Sequence, residues 1–351
     1  MTRPQTTTEQ ELFSQPERWL ALVNRFSRDN PLAGLTLTDF DEIVVFGSGS
    51  SYYLALLLGD LLETATGVRA RVLPSCDVFL QRARYLNPTR GKRRLGIGIS
   101  RSGESSEASL AAEALKDQEV PLVVITCTEA SSLLKYADYP FVIPEGHEDG
   151  LVMLRSFTSM VLGFQLALAA QQGQAIAAFE SLENAGIRVL ETYAEPLTRL
   201  AHARDFNRFV FLGSGLTYPL ALESALKMQE MSIVTSEAYH GLEYRHGPKS
   251  TADEHTLVTL FARDADDTFD SDLLRDLKAY GVGTLVIGEN LERFAPYSDL
   301  SADLGSSLTE EERLVLELLP VHLVALQTAL RLGRNPDAPR NLTQVVRLEL
   351  V

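Results

Sequence analysis

The stretch VVFGSGSSYYLALL, residues 44–57, returns 166 positions later as VFLGSGLTYPLALE, residues 210–223. Identities fall at Val44/Val210, Gly47/Gly213, Ser48/Ser214, Gly49/Gly215, Tyr52/Tyr218, Leu54/Leu220, Ala55/Ala221 and Leu56/Leu222, eight of 14 positions. In each copy a short apolar run leads through a Gly/Ser turn into a helical pattern, which is the signature of a strand followed by a helix. The chain therefore reads as one α/β unit duplicated, the copies joined by helices around 173–203.

Outward from these turns the alternation continues. Ile43–Phe46, Leu95–Ile99, Leu122–Thr126 and Phe141–Ile143 read as strands of the first copy, with helices over about 51–63 and 105–116. Phe209–Leu212, Thr256–Phe261 and Gly283–Ile287 read as strands of the second. Strand–helix alternation implies parallel sheets flanked by helices. An amphipathic helix is expected over 9–29, and helical patterns from about 150 to 203. The expected organisation is an N-terminal helical segment over 1–40, a first domain over 41–190, a second over 200–335, and an extended tail over 336–351.

The 351 residues suit two domains. Asp plus Glu number 47 against 32 Lys plus Arg, a formal charge of −15, which opposes general affinity for nucleic acid or anionic membrane. A small anion is still admissible, because a few backbone N–H groups at a helix start can hold a phosphate on an acidic protein. Cys76 and Cys127 are too few for a disulfide framework and read as buried apolar residues. The N-terminus shows no basic-then-apolar leader, and the longest apolar stretch is broken by Arg155 and Gln165. A cytoplasmic protein without a membrane span is expected.

Two loops carry hydroxyl groups to helix starts. GSGSS at Gly47–Ser51 allows a tight turn, with Gly49, Ser50 and Ser51 able to approach an anion. By itself such a turn is a weak signal that can serve packing alone, and it lacks the third glycine of a dinucleotide fingerprint. SRSGESSE at Ser100–Glu107 is denser, with four serines in eight residues at another strand-to-helix junction. Neutral donors at a helix N-terminus suit a monoester phosphate, although Ser and Glu also favour plain capping positions. The second copy has Ala262-Arg263-Asp264 there instead, so the phosphate site belongs to the first copy.

The second copy carries ESALKMQEMSIVTSEAYHGLEYRHGPKS, residues 223–250. On a helix Glu223, Lys227 and Glu230 share one face at steps of four and three. A carboxylate beside an ammonium there is either a general base or a simple surface ion pair. His240, Glu243 and His246, three apart, raise a metal, but zinc-binding helices space histidines by four and no further ligand is evident. No metal and no cofactor is expected. His246-Gly247-Pro248 is a rigid turn that suits a fixed imidazole acid or base.

Together with ELFSQPERW at Glu11–Trp19, RSFTSM at Arg155–Met160 and PRNLTQVV at Pro339–Val346, these motifs resemble the sugar isomerase (SIS) family with two tandem SIS domains. They are similar to the isomerase half of glucosamine-6-phosphate synthase, and closer to the tagatose-6-phosphate ketose/aldose isomerase group with its galactosamine-6-phosphate deaminases. The resemblance implies two flavodoxin-like three-layer domains. It implies a sugar phosphate held by Ser50, Ser51, Ser100, Ser102 and Ser105, with Arg101, Gly103 and Glu104 in the same loop. It implies Glu230 as the group that moves a proton between C1 and C2, and Glu223 and Lys227 as its support. His246 would open the sugar ring from a neighbouring subunit, so at least a homodimer is implied.

Two departures from the synthase stand out. Gln344 occupies the position of the tail lysine that forms an imine with the ketose, and no lysine follows Lys278. Residue 2 is threonine, without the cysteine nucleophile of a glutaminase. A 2-amino aldose brings its own nitrogen and needs no enzyme imine. The expected activity is thus deamination with isomerisation of an aminosugar 6-phosphate. Plain isomerisation, fructosamine-6-phosphate deglycation and a non-catalytic sugar-phosphate sensor are the alternatives.

Overall fold

Short helices open the chain, α1 (Thr7–Phe13) and α2 (Gln15–Phe26), in a computed structural model that describes residues 5–86, 92–265 and 268–348. The first four residues of the expected N-terminal segment and the last three of the tail lie outside the described residues. The single helix expected over 9–29 is broken at Ser14. Pro16 has no N–H to give to the Leu12 carbonyl, so the Gln15 side-chain amide donates to it instead, at 3.1 Å.

The chain divides into two compact units: Glu17–Asp149 with Arg155–Glu180 and the tail from Thr343, and the residues up to Pro16 with Gly150–Leu154 and Ser181–Leu342. The expected segment 1–40 is therefore not one body. The first unit holds β1 (Glu42–Gly47), α3 (Ser50–Thr66), β2 (Arg69–Pro74), α4 (Ser75–Leu80), α5 (Arg82–Tyr85), β3 (Arg94–Ile99), α6 (Ser106–Lys116), β4 (Leu122–Thr126), β5 (Tyr139–Val142) and α7 (Arg155–Gln171). Its strands are all parallel, in the order β2-β1-β3-β4-β5. Val44, Phe46, Leu122 and Val124 pack with Ala111, Ala112 and Leu115 of α6 on one face, and α3 with α7 covers the other.

The second unit repeats the plan with α8 (Leu182–Ala203), β6 (Arg208–Gly213), α9 (Thr217–Ser232), β7 (Thr235–His240), β8 (Thr256–Phe261), α10 (Phe269–Ala279), β9 (Gly283–Gly288), β10 (Leu300–Asp303) and α11 (Leu314–Arg331). Its parallel order is β10-β9-β8-β6-β7, the same topology strand for strand. Val210, Leu212, Val258 and Leu260 pack against Leu273, Leu274 and Leu277 of α10. Helix α11 is the longest apolar segment, not the region around Arg155–Gln165. By length and composition it could cross a membrane, but 83% of that window is buried inside the structure, as in a core helix. Cys127 is buried as expected, whereas Cys76 is half-buried; burial and then Glu148 raise the Cys127 thiol well above its ordinary range.

Candidate active site

The repeated glycines have a backbone explanation that is the same in both units. A Cβ on Gly47 would lie 2.3 Å from the Ser51 carbonyl oxygen, and one on Gly213 would lie 2.3 Å from that of Thr217. Gly49 and Gly215 both sit at positive φ, +59° and +56°. The GSG turn is thus required wherever this strand passes into this helix, and ligand binding depends on what surrounds it.

In each sheet the chain leaves its first strand to one side and places its third strand on the other, so a crevice opens at the carboxyl ends of β1 and β3, and of β6 and β8. In the first unit that crevice is lined by the Gly49–Ser51 turn and the Ser100–Ser105 loop. Ser50 and Ser51 open α3, and Ser100 accepts the Gly103 N–H at 3.1 Å. Gly103 sits at φ +67°, where a Cβ would lie 1.6 Å from the Ser131 hydroxyl oxygen. Ser102 Oγ accepts the Glu104 N–H at 3.2 Å. Ser105 caps α6 without spending its hydroxyl on the cap.

Two of the expected binding residues are engaged elsewhere. The Glu104 carboxylate accepts the Ser132 N–H at 2.7 Å and its hydroxyl at 2.9 Å, so it fastens the loop rather than facing an anion. Arg101 is buried, with its guanidinium 3.7 Å from Glu148 and 3.5 Å from the Gln344 carbonyl. The tail runs over the same loop: Val346 accepts the Ser106 N–H at 3.2 Å, and the Leu348 N–H donates to Ser106 Oγ at 3.1 Å. Gln344 is therefore placed beside the serine loop. Glu148 and Ser132, which hold this loop in shape, lie far from it in sequence, and no spacing signal points to them.

The corresponding crevice of the second unit is furnished differently. The Ser214 N–H is taken by Thr217 Oγ1 at 2.9 Å. Arg263 pairs with Asp270 at 3.2 Å, and Asp264 receives both terminal nitrogens of Arg313, at 2.8 and 2.6 Å. These carboxylates are poor company for a phosphate.

Helix α9 starts from this turn and carries the titratable cluster. Lys227 is completely buried; its Nζ lies 3.2 Å from Glu223 Oε1 and is hydrogen-bonded to Glu230 Oε2. Burial works to lower the ammonium, but the two carboxylates outweigh it and leave it raised. The Glu223 side chain is as buried as Lys227, whereas that of Glu230 is 16% exposed. His246 follows a short turn at Glu243–Arg245 and is exposed, before Gly247 at φ +130° and Pro248. His240, at the end of β7, stacks on Tyr218 with ring centroids 3.7 Å apart. Among the described residues His240, Glu243 and His246 do not converge as metal ligands.

Two parallel sheets of one topology, with a Gly/Ser turn and a serine loop on the first and a carboxylate–lysine cluster on the second, describe a duplicated α/β protein. The SIS domain model matches residues 36–170 and 203–304, and the chain belongs to the SIS-domain family. It is 30% identical over 355 residues to the D-galactosamine-6-phosphate deaminase AgaS of Escherichia coli, covering 95% of this chain and 91% of that one. It is 29% identical to an isomerizing glutamine–fructose-6-phosphate aminotransferase of Gloeobacter violaceus, of whose length it spans only 52%. Among solved structures, a glucosamine-6-phosphate deaminase from Thermotoga maritima superposes with a TM-score of 0.81 at 28% identity, over 98% of this chain and all of that one. A tagatose-6-phosphate ketose/aldose isomerase from Escherichia coli gives 0.83 at 26%, over 95% and 94% of the two chains.

Proposed function

We propose that this protein is a phosphosugar enzyme that deaminates and isomerises an aminosugar 6-phosphate of the galactosamine or glucosamine type. The observation that carries this reading is the α9 cluster. A fully buried lysine is clamped between two glutamates, and only one of them, Glu230, reaches solvent. That is a base held in a low-dielectric setting, not a surface ion pair. The near full-length similarity to named deaminases and isomerases supports the same class.

This reading gives each residue a role. Ser50, Ser51, Ser100, Ser102 and Ser105 hold the phosphate, with helix N–H groups behind them. His246 protonates the ring oxygen and opens the sugar. Glu230 takes the C2 proton of the open-chain aldehyde, giving an enolamine, and returns a proton to C1, giving a C2 imine. Water adds to the imine and ammonia leaves, so hexosamine phosphate and water yield ketose phosphate and ammonia. The substrate's own nitrogen makes a lysine at Gln344 unnecessary.

The test is a panel of hexosamine 6-phosphates and fructosamine 6-phosphates, assayed for ammonia and ketose phosphate. Release from a hexosamine 6-phosphate is expected. Turnover confined to fructosamine 6-phosphates would make the protein a deglycase. Binding of these sugars without turnover would make it a sensor.

A further inference from the structure

Helix α11, which packs against α9, holds a buried histidine that the proposed chemistry does not use. His322, in the middle of α11, is fully buried, as is Gln15. The Gln15 side-chain nitrogen lies 3.2 Å from His322 Nδ1. Its orientation is fixed by a bond to the Leu12 carbonyl. An amide nitrogen only donates, so Nδ1 accepts and the proton of the neutral ring is assigned to Nε2. Nε2 has no hydrogen-bond partner among the described residues. Burial, and then the positive charge of Lys227, push this imidazole down to about 3. One turn along α11, the Ala325 carbonyl accepts the Ser232 hydroxyl from the end of α9 at 2.8 Å, which ties the two helices together.

We propose that His322, oriented by Gln15, is a positioning residue for the α9 cluster: an uncharged polar group on the helix packed against α9 that keeps the Lys227 ammonium committed to Glu223 and Glu230. This rests on the reading of Glu230 as the proton-transfer base. A cation at 322 would compete for the two carboxylates. An apolar side chain would remove the acceptor that Gln15 uses on α11 and free α11 to settle differently against α9. Either change would move Lys227, and with it Glu230, by the fraction of an ångström that proton transfer does not tolerate.

The experiment compares wild type with His322→Leu, Gln15→Leu and His322→Asn in the 351-residue chain. Asn keeps an acceptor near the position of Nδ1. Turnover and washout of the C2 deuterium from labelled hexosamine 6-phosphate are followed against pH. His322→Leu and Gln15→Leu should each lower kcat about tenfold, an effect typical of slightly misplaced groups, with KM unchanged. Their pH profile should shift, and the double variant should be little worse than either single one. His322→Asn should restore both kcat and the profile. If His322→Leu does not fold, Gln15→Leu carries the same expectation. Leu variants that lose melting temperature but keep wild-type kcat, KM and pH profile overturn the proposal, as does an Asn variant no better than Leu. A wild-type enzyme that neither exchanges nor turns over any of these sugars removes the base assignment itself, and the proposal with it. Wild-type exchange with unaltered variants removes the proposal alone.

Discussion

Glu230 and Glu223 share one ammonium but not one environment. Of the two, only Glu230 has its side chain partly in solvent, so it is the one open to a ligand. Glu230→Gln keeps shape and a hydrogen bond to Lys227 but removes the base. Its kcat should fall by about 10²–10⁴-fold, the usual worth of a positioned base, while sugar phosphate binding persists. Washout of C2 deuterium at the wild-type rate in this variant would mean another residue is the base. Ser102, whose Oγ shapes the loop by accepting the Glu104 N–H, predicts the opposite kinetic pattern. Ser102→Ala removes ground-state phosphate binding, so KM should rise more than kcat falls. Helical spacing put Glu223, Lys227 and Glu230 on one face. It could not show depth, and depth is what separates this cluster from a surface ion pair. The duties of Glu104 and Arg101 were also invisible, because Ser132 and Glu148 reach them only through the fold.

At the scale of elements, the strands that were legible are, apart from the edge strand β5 read as Phe141–Ile143, those covered on both sides. β1, β3, β4, β6, β8 and β9 read as unbroken apolar runs because a parallel sheet buries both faces of its inner strands. β2, β7 and β10 were missed: each is an edge strand, only partly buried, with sequences such as RARVLP and TSEAYH that carry no such run. The first GSG turn was read as a candidate anion site, yet both turns serve the strand-to-helix passage first. Gly213→Ala should therefore destabilise as much as Gly47→Ala, by about 1–3 kcal/mol as overpacking does, although only the first turn is assigned a phosphate. Equal losses in urea denaturation check this, and a neutral Gly213→Ala would contradict it. Helix α11 carries a further prediction. Burial pushes the Glu317 carboxyl up to about 8, against the opposing charge of Arg313 and with help from Glu310 and Asp264. Native Glu317 keeps its proton from an ordinary value of 4.5 up to about 8, while the unfolded chain has already released it. Over that window the folded state binds more protons, so stability falls as pH rises. Melting temperatures at pH 5, 6.5 and 8 should thus show wild type losing ground steadily to Glu317→Gln. A constant difference would mean that Glu317 is ionised throughout and simply paired with Arg313.

For the whole molecule the decisive residue is His246, which is exposed on a turn fixed by Gly247 and Pro248. An exposed imidazole on a fixed turn can be offered to a neighbouring copy, and ring opening from there is the task proposed for His246. At least a dimer is expected, with light scattering giving about twice the 38.7 kDa of the chain. Mass alone does not show that the copies share active sites, but complementation does. Glu230→Gln and His246→Ala should each be nearly inactive. When the two are mixed, dissociated and reassociated, half of the dimers are hybrids. In a hybrid, one site joins the intact Glu230 of the first copy to the intact His246 of the second, and the other site is doubly defective. Activity should therefore return to about a quarter of wild type at equal mixing, as two-fold symmetry dictates. If His246 served its own subunit, every site in every hybrid would still carry one lesion, and mixing would restore nothing. A fully active monomer of about 39 kDa would end the shared-site reading outright.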